Sequence, residues 1–121
     1  MAGNAMRNRR ELLVALFVLP AAALAADAPD APRTIAGKYV IDVRSRAEWD
    51  RGHIEGAIWI PHEQIADGIL AVLPRRNAQI ALYCGSGVRS GKALETLKAM
   101  GYRDLENLGG LDDARRKLGV P

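Results

Sequence analysis

The sequence predicts an α/β fold, a single domain in which a mainly parallel central sheet is flanked by helices. Short apolar segments alternate with segments of helical spacing between residues 39 and 118, and such alternation is typical of βαβ units. Some of these segments, such as AIWI at 57–60, are apolar throughout, as expected for strands covered on both faces. A length of 121 residues with 49% hydrophobic composition suffices for one such domain and not for two.

The first 36 residues are predicted to lie outside this domain. Three arginines among the first ten residues precede the apolar run 12–19, and Ala23 and Ala25 follow as an A-x-A cleavage site. This order is typical of a secretory signal peptide, and the apolar run is too short for a membrane-spanning helix. We therefore expect a cleaved signal peptide at 1–25, a flexible leader at 26–36 and the folded domain at 37–121. The expected location is the periplasm, with no stable membrane association after cleavage.

Loss of the signal peptide also changes the charge. The whole chain carries +3, and residues 1–25 contain three arginines and one glutamate, so the mature chain carries +1. A nearly neutral domain gives no electrostatic reason to expect a nucleic-acid partner. A single cysteine excludes an intrachain disulfide framework and a multi-cysteine metal site.

The elements follow in order along the domain. Ser45 and Glu48 fit a capping box, which predicts a short helix from about Arg46 to Gly52. In residues 90–100 an apolar stripe at helical spacing precedes Gly101, a good C′ residue. Strands are predicted at 39–43, 57–60, 79–83 and 104–108. The other helices are predicted at 64–73 and 111–118.

The residues that carry chemistry are concentrated in one loop, YCGSGVRSG at 83–91. Cys84 comes at the end of a predicted strand and just before a predicted helix, the position at which open α/β sheets bind ligands. Helix N-terminal amides, glycines that let the loop wrap inward and the Arg89 cation all favour thiolate over thiol. We predict Cys84 as the catalytic nucleophile. The predicted substrate-binding residues are Gly85, Ser86, Gly87, Val88, Arg89 and Ser90.

The less specific alternative is that Cys84 is a small buried hydrophobic residue, as free cysteines often are. A second alternative is a cysteine phosphatase or arsenate reductase, which also surrounds a cysteine with amides and an arginine. Those enzymes place five residues between cysteine and arginine, whereas four intervene here and Ser90 occupies the corresponding position. The tighter loop favours a sulfur atom over a tetrahedral oxyanion.

Three groups of residues together resemble the signature of the rhodanese-domain family. The first is Asp42–Arg44, Glu48–Trp49, Gly52–Ala57 and Ile60–Pro61; the second is the loop Cys84–Arg89; the third is Gly101–Leu111. The resemblance covers residues 35–120. One departure is that many members have a tryptophan shortly after the Gly-Gly, where this chain has Leu111, Asp112 and Asp113.

This resemblance implies a sulfurtransferase. The Cys84 thiolate would attack the outer sulfur of an anionic donor such as thiosulfate, and a thiol or cyanide acceptor would remove the sulfur from the resulting persulfide. No cofactor and no metal are expected. The alternative within the family is a persulfide carrier or binding module that serves a partner protein. The donor and any protein partner are left open by the sequence.

Other conspicuous residues are predicted to be structural. Arg44 is expected to pair with a nearby acid at the end of the first strand, and His53 to form a hydrogen bond in a turn. His53 and His62 lack the spacing of metal ligands. Trp49 and Trp59 are expected in the core.

Overall fold

A computed structural model of the protein describes residues 32–121. The predicted signal peptide and the first part of the predicted leader lie outside the described residues. The described chain forms one sheet of four strands, all parallel, in the order β2-β1-β3-β4. The strands are β1 (Tyr39–Asp42), β2 (Ile58–Trp59), β3 (Gln79–Cys84) and β4 (Asp104–Gly110). The predicted α/β class with a parallel sheet is confirmed.

Four helices connect and flank these strands. They are α1 (Arg46–Arg51), α2 (Ile65–Val72), α3 (Val88–Ala99) and α4 (Leu111–Leu118), and a 3-10 turn at His62–Gln64 precedes α2. The capping box of α1 is present as predicted, with Ser45 and Glu48 bonding each other's backbone amides. Two boundaries near the predicted site differ from expectation: β3 runs one residue further, to Cys84, and α3 begins two residues earlier than predicted. The cysteine loop is therefore shorter than predicted, because Val88 and Arg89 belong to the helix that follows it.

The strand β3 lies between β1 and β4 and is buried on both faces. Ile80, Leu82 and Cys84 point into one apolar cluster, and Ala81 and Tyr83 into the other. Burial of each large aliphatic side chain contributes about 1.5–3 kcal/mol to folding. Cys84 is the last of the three residues on its face of β3. Its main chain is therefore held by the core, whereas its sulfur lies at the boundary between core and loop.

The C-terminal end of β1 carries a buried ion pair. The Arg44 guanidinium donates to both carboxylate oxygens of Asp42, with the shortest contact at 2.7 Å. A further Arg44 hydrogen bond reaches the Gly52 carbonyl, and the Tyr83 hydroxyl accepts from the Ile54 amide. Burial raises the pKa of Tyr83, so its hydroxyl stays neutral. The prediction that Arg44 holds the strand end is confirmed, and this network fixes the turn that follows α1.

The two tryptophans depart from expectation. Trp49 and Trp59 are half-buried and belong to neither core cluster, so the prediction that they are core residues is wrong. Trp59 lies on the edge strand β2 and donates its indole N–H to the Arg44 carbonyl at 2.9 Å. Trp49 stacks on His53, whose Nδ1 lies 2.9 Å from the Trp49 carbonyl oxygen, which confirms His53 as a hydrogen-bonded turn residue.

Two further facts concern the part of the chain that the structure describes. Within the predicted leader, Ile35 forms an isolated antiparallel bridge with Lys38 and packs against the second core cluster. Between residues 32 and 121, none of the helices has both the length and the apolar character needed to cross a bilayer.

Candidate active site

Cys84 lies at the carboxyl end of the central strand, where a loop of three residues turns into α3. The loop residues Gly85 and Ser86 are exposed, and Gly87 is half-buried. Cys84 itself has no solvent-exposed surface. The sulfur is thus on the floor of the loop, at the edge of the sheet where α/β proteins bind ligands.

The sulfur accepts hydrogen bonds from the loop that covers it. The Gly87 amide nitrogen lies 2.9 Å from Sγ, and the Ser90 hydroxyl oxygen lies 3.4 Å from it. Gly87 has φ +95°, the left-handed region in which a side chain is strained, and this conformation turns its N–H inward. The loop therefore folds back onto the sulfur by its third residue after Cys84.

These contacts set the acidity of the thiol. Burial by itself raises the pKa of Cys84, but hydrogen bonds from the Ser90 hydroxyl and from the amides of Ser90, Ser86 and Gly87 outweigh it. The net result lowers the pKa from 9.0 to about 7. Near neutral pH a large fraction of Cys84 is then thiolate, which is the nucleophilic form.

Ser90 and Arg89, both predicted site residues, lie in the first turn of α3. Ser90 is completely buried against the sulfur. Arg89 makes a bidentate ion pair with Glu48 of α1, at 2.7 and 3.0 Å. This pair raises the pKa of Arg89 and lowers that of Glu48 from 4.5 to about 2. The remaining predicted residue, Val88, is 62% exposed.

Glu48 is a site residue that was predicted only as a helix cap and as part of the family signature. One carboxylate serves both purposes, because its Oε1 accepts from Ser45 as well as from Arg89. Only its place in the family motif, beside Trp49, marked it out in the sequence. Its pairing with a residue 41 positions away depends on the tertiary fold.

A second set of unpredicted residues lies under the other side of the loop, on β4. Asn107 bonds both Gly87 and Ser90. The two glycines at the end of β4 allow close approach: a Cβ on Gly110 would lie 2.4 Å from the Gly85 carbonyl oxygen. The Gly-Gly pair is the signal in the sequence that could have located this contact.

Another cleft on the described surface has a less reactive lining. A cleft lined by Tyr39, Pro74 and Gln79 lies at the opposite, amino end of the strands, and its lining contains no cysteine, histidine or carboxylate. This cleft therefore offers no alternative to the Cys84 thiol.

Known proteins are similar to this chain in sequence and in fold. The chain is 40% identical over 78 residues to thiosulfate sulfurtransferase PspE of Escherichia coli, covering 64% of this chain and 75% of that one. It is 46% identical over 72 residues to the probable adenylyltransferase/sulfurtransferase MoeZ of Mycobacterium tuberculosis, covering 59% of this chain but only 18% of that longer protein.

Among solved structures, a rhodanese with anions from E. coli superimposes with a TM-score of 0.63 at 37% identity, covering 69% of this chain and 94% of that one. The rhodanese-like domain family matches residues 22–116, which is most of the chain and includes the Cys84 loop. The protein therefore belongs to the rhodanese-like domain family.

Proposed function

We propose that this protein is a sulfurtransferase that moves a sulfane sulfur from thiosulfate, or a similar anionic donor, to a thiophilic acceptor through a persulfide on Cys84. The observation that carries the proposal is the Cys84 sulfur itself, which is completely buried and accepts hydrogen bonds from the Gly87 amide and the Ser90 hydroxyl. These hydrogen bonds help to lower the pKa of the thiol to about 7. Membership of the rhodanese-like domain family and similarity to a thiosulfate sulfurtransferase support it.

The reaction takes two displacements. In the first, the Cys84 thiolate attacks the outer sulfur of thiosulfate, the sulfur–sulfur bond of the donor breaks and sulfite leaves with the electron pair. In the second, an acceptor such as cyanide or a thiolate attacks the outer sulfur of the persulfide, and the Cys84 thiolate leaves. The Gly87 amide and the Ser90 hydroxyl stabilise negative charge on Cys84 at the start and at the end of the cycle.

Arg89 supplies the cation for an anionic donor. Its guanidinium has five N–H groups, and Glu48 accepts two of these hydrogen bonds, so donors remain for a second anion. Glu48 also reduces the net charge at the mouth of the site. We therefore assign Arg89 to orientation of the donor and the loop amides to stabilisation of the sulfur.

The buried sulfur requires the loop to move during turnover. Because Cys84 has no exposed surface, a donor must displace loop atoms before its outer sulfur reaches Sγ. Gly85 and Ser86 are the exposed residues of the loop, and we infer that the donor enters beside them. Access, as well as thiolate formation, then limits the first displacement.

Export to the periplasm is part of the proposal. It rests on the basic, apolar and small-residue order of residues 1–25, and we infer cleavage after Ala25 and a folded sulfurtransferase domain at 37–121. The acceptor in that compartment would be a small thiol or the thiol of another protein.

The direct test is the mass of the purified protein before and after incubation with thiosulfate. We expect a gain of one sulfur atom that cyanide removes, and no gain in Cys84→Ser, which keeps the side-chain volume nearly unchanged. Thiocyanate production in the standard coupled assay should be lost in the same variant. Sulfur transfer by Cys84→Ser, or wild-type protein that takes up no sulfur, would overturn the assignment. Persulfide formation without turnover of small acceptors would instead favour the carrier alternative.

A further inference from the structure

Asn107 of β4 contacts three separate parts of the site through one side-chain amide. Its Nδ2 donates to the Gly87 carbonyl at 2.9 Å, and its Oδ1 accepts from the Gly109 amide at 3.0 Å and from the Ser90 hydroxyl at 2.8 Å. A carbonyl can only accept and a backbone amide can only donate, so these two partners fix which end of the Asn107 amide is oxygen. Oδ1 is therefore the atom that meets Ser90.

The Ser90 hydroxyl has one proton and two acceptors within reach. Asn107 Oδ1 is at 2.8 Å and Cys84 Sγ at 3.4 Å, and Ser90 is completely buried, so water does not offer a third. A neutral thiol is a weak acceptor, which leaves the hydroxyl proton with Asn107. An anionic sulfur is a much stronger acceptor, so the O–H turns to Sγ when the thiol proton leaves to solvent. No other bond changes in this step.

We propose that Asn107 is a positioning residue for sulfur transfer, which tethers the cysteine loop through the Gly87 carbonyl and receives the Ser90 hydroxyl whenever the sulfur is uncharged. The inference rests on the proposed sulfurtransferase function. In the catalytic cycle, the hydroxyl points to Sγ in the thiolate state. It returns to Asn107 when negative charge moves to the outer sulfur of the persulfide.

The substitutions that test this proposal leave the charged residues around the loop unaltered. Arg89 of α3 and Glu48 of α1 lie on one side, and Asp113 of α4 lies on the other, beside Gly109 and Gly110. None of them bonds Asn107 in the described structure. A substitution at Asn107 can therefore change the pKa of Cys84 in three ways: through the Ser90 hydroxyl, through the hydrogen bond to the Gly87 carbonyl, or through an added charge.

The test is the pKa of Cys84, read from the rate of alkylation by iodoacetamide against pH. Asn107→Asp supplies an anionic acceptor that keeps the Ser90 proton away from the sulfur and cannot donate to Gly87. We expect the pKa of Cys84 to rise. A rise of one unit would lower the alkylation rate near neutral pH about fivefold. Asn77→Asp, the same substitution in an exposed turn, is the matched control and should leave the rate unchanged.

A Ser90→Ala background separates the proposed path from a direct effect of the added charge. Without the hydroxyl, Asn107→Asp should shift the pKa by less than half as much as in wild type. An equal shift in both backgrounds, or no shift in either, would overturn the proposal.

If Asn107→Asp fails to fold, Asn107→Ala crossed with Ser90→Ala gives the same test, and additive effects on the pKa would refute the coupling. Alkylation needs no sulfur donor. A wild-type protein that takes up no sulfur would therefore refute the proposed function while this series still judged the role of Asn107.

Discussion

Replacement of Glu48 by glutamine tests whether the ion pair between α1 and α3 holds the cysteine loop. Glutamine has the shape of glutamate and keeps an oxygen to accept the Ser45 hydrogen bonds of the helix cap. It lacks the charge that Arg89 requires. The substitution therefore isolates the electrostatic part of the contact between Glu48 and Arg89.

The expected magnitude follows from the pKa of Glu48. The Arg89 hydrogen bond is the main cause of its fall from 4.5 to about 2; burial opposes it and the Ser45 bonds assist. A shift of that size corresponds to at most about 3.4 kcal/mol. The Glu48 and Arg89 side chains are 24% and 33% exposed, and solvent screening reduces the value for such pairs. We expect Glu48→Gln to lower the free energy of unfolding by about 1–2 kcal/mol at neutral pH.

The pH dependence gives the sharper result. Since the folded-state pKa of Glu48 lies below its unfolded value, the contribution is complete above about pH 4.5 and declines as the pH falls towards about 2. Urea unfolding of wild type and Glu48→Gln at several pH values should show the stability difference shrinking across that window. Asp50→Asn, which breaks the exposed pair with Arg46, is the control and should cost only a few tenths of a kcal/mol. A Glu48→Gln difference as small as that control, or one independent of pH, would refute the reasoning.

Three further predictions concern the loop. Ser90→Ala removes the first of the hydrogen bonds that lower the pKa of Cys84, so the pH of half-maximal alkylation should rise from about 7 towards 9, and an unchanged profile would contradict this role. Gly110→Ala places a Cβ 2.4 Å from the Gly85 carbonyl oxygen, and because backbone must move we expect a loss of about 1–3 kcal/mol in urea unfolding with lower sulfur transfer. One residue inserted just before Arg89 should widen the loop, lower thiosulfate turnover and let phosphate inhibit; strong phosphate inhibition of the wild type would count against the size argument.

The fold was largely predictable because its signals are local. Apolar runs, a capping box and a C′ glycine each act within a few residues, and they placed the four strands and four helices of residues 32–121 in the right order. The position of Cys84 followed from that order, since the residue after a central strand must lie at the carboxyl edge of a parallel sheet. What failed locally was the helix start: Val88 and Arg89 were predicted in the loop but belong to α3. Gly87 in the left-handed conformation lets the helix begin at once.

The contacts that close the site were not predictable from the sequence pattern. The partner of Arg89 is Glu48, far away in sequence, and a local pattern cannot select it among the other carboxylates of the chain. The tryptophans failed for a related reason. The AIWI run was interpreted as a strand buried on both faces. In the sheet of the described residues, however, β2 is a two-residue edge strand that pairs only with β1, so Trp59 stays half-buried. Apolar composition shows that a segment can be buried, whereas its place in the sheet decides how much of it is.

The contacts on the two sides of the cysteine loop differ in how easily they can break. This difference predicts on which side the loop opens to expose the Cys84 sulfur. On the β4 side the backbones approach closely, in addition to the Asn107 hydrogen bond to Gly87: a Cβ on Gly87 would lie 3.3 Å from the Gly109 Cα, and one on Gly110 even closer to Gly85. That side cannot move without moving the sheet. On the α1 side the loop is held by side chains, since the space beside Gly85 is bounded by Arg89 and Glu48.

Opening of the loop should therefore pass through the ion pair, whose side chains can rotate while the strands stay in place. Glu48→Gln weakens that side alone. At a pH where Cys84 is wholly thiolate, we expect iodoacetamide to alkylate Glu48→Gln faster than wild type, because the remaining barrier is access. Equal rates at that pH would refute this route and would mean that the loop opens elsewhere. A variant that changes access to Cys84 without changing its pKa would then have to be sought on the β4 side.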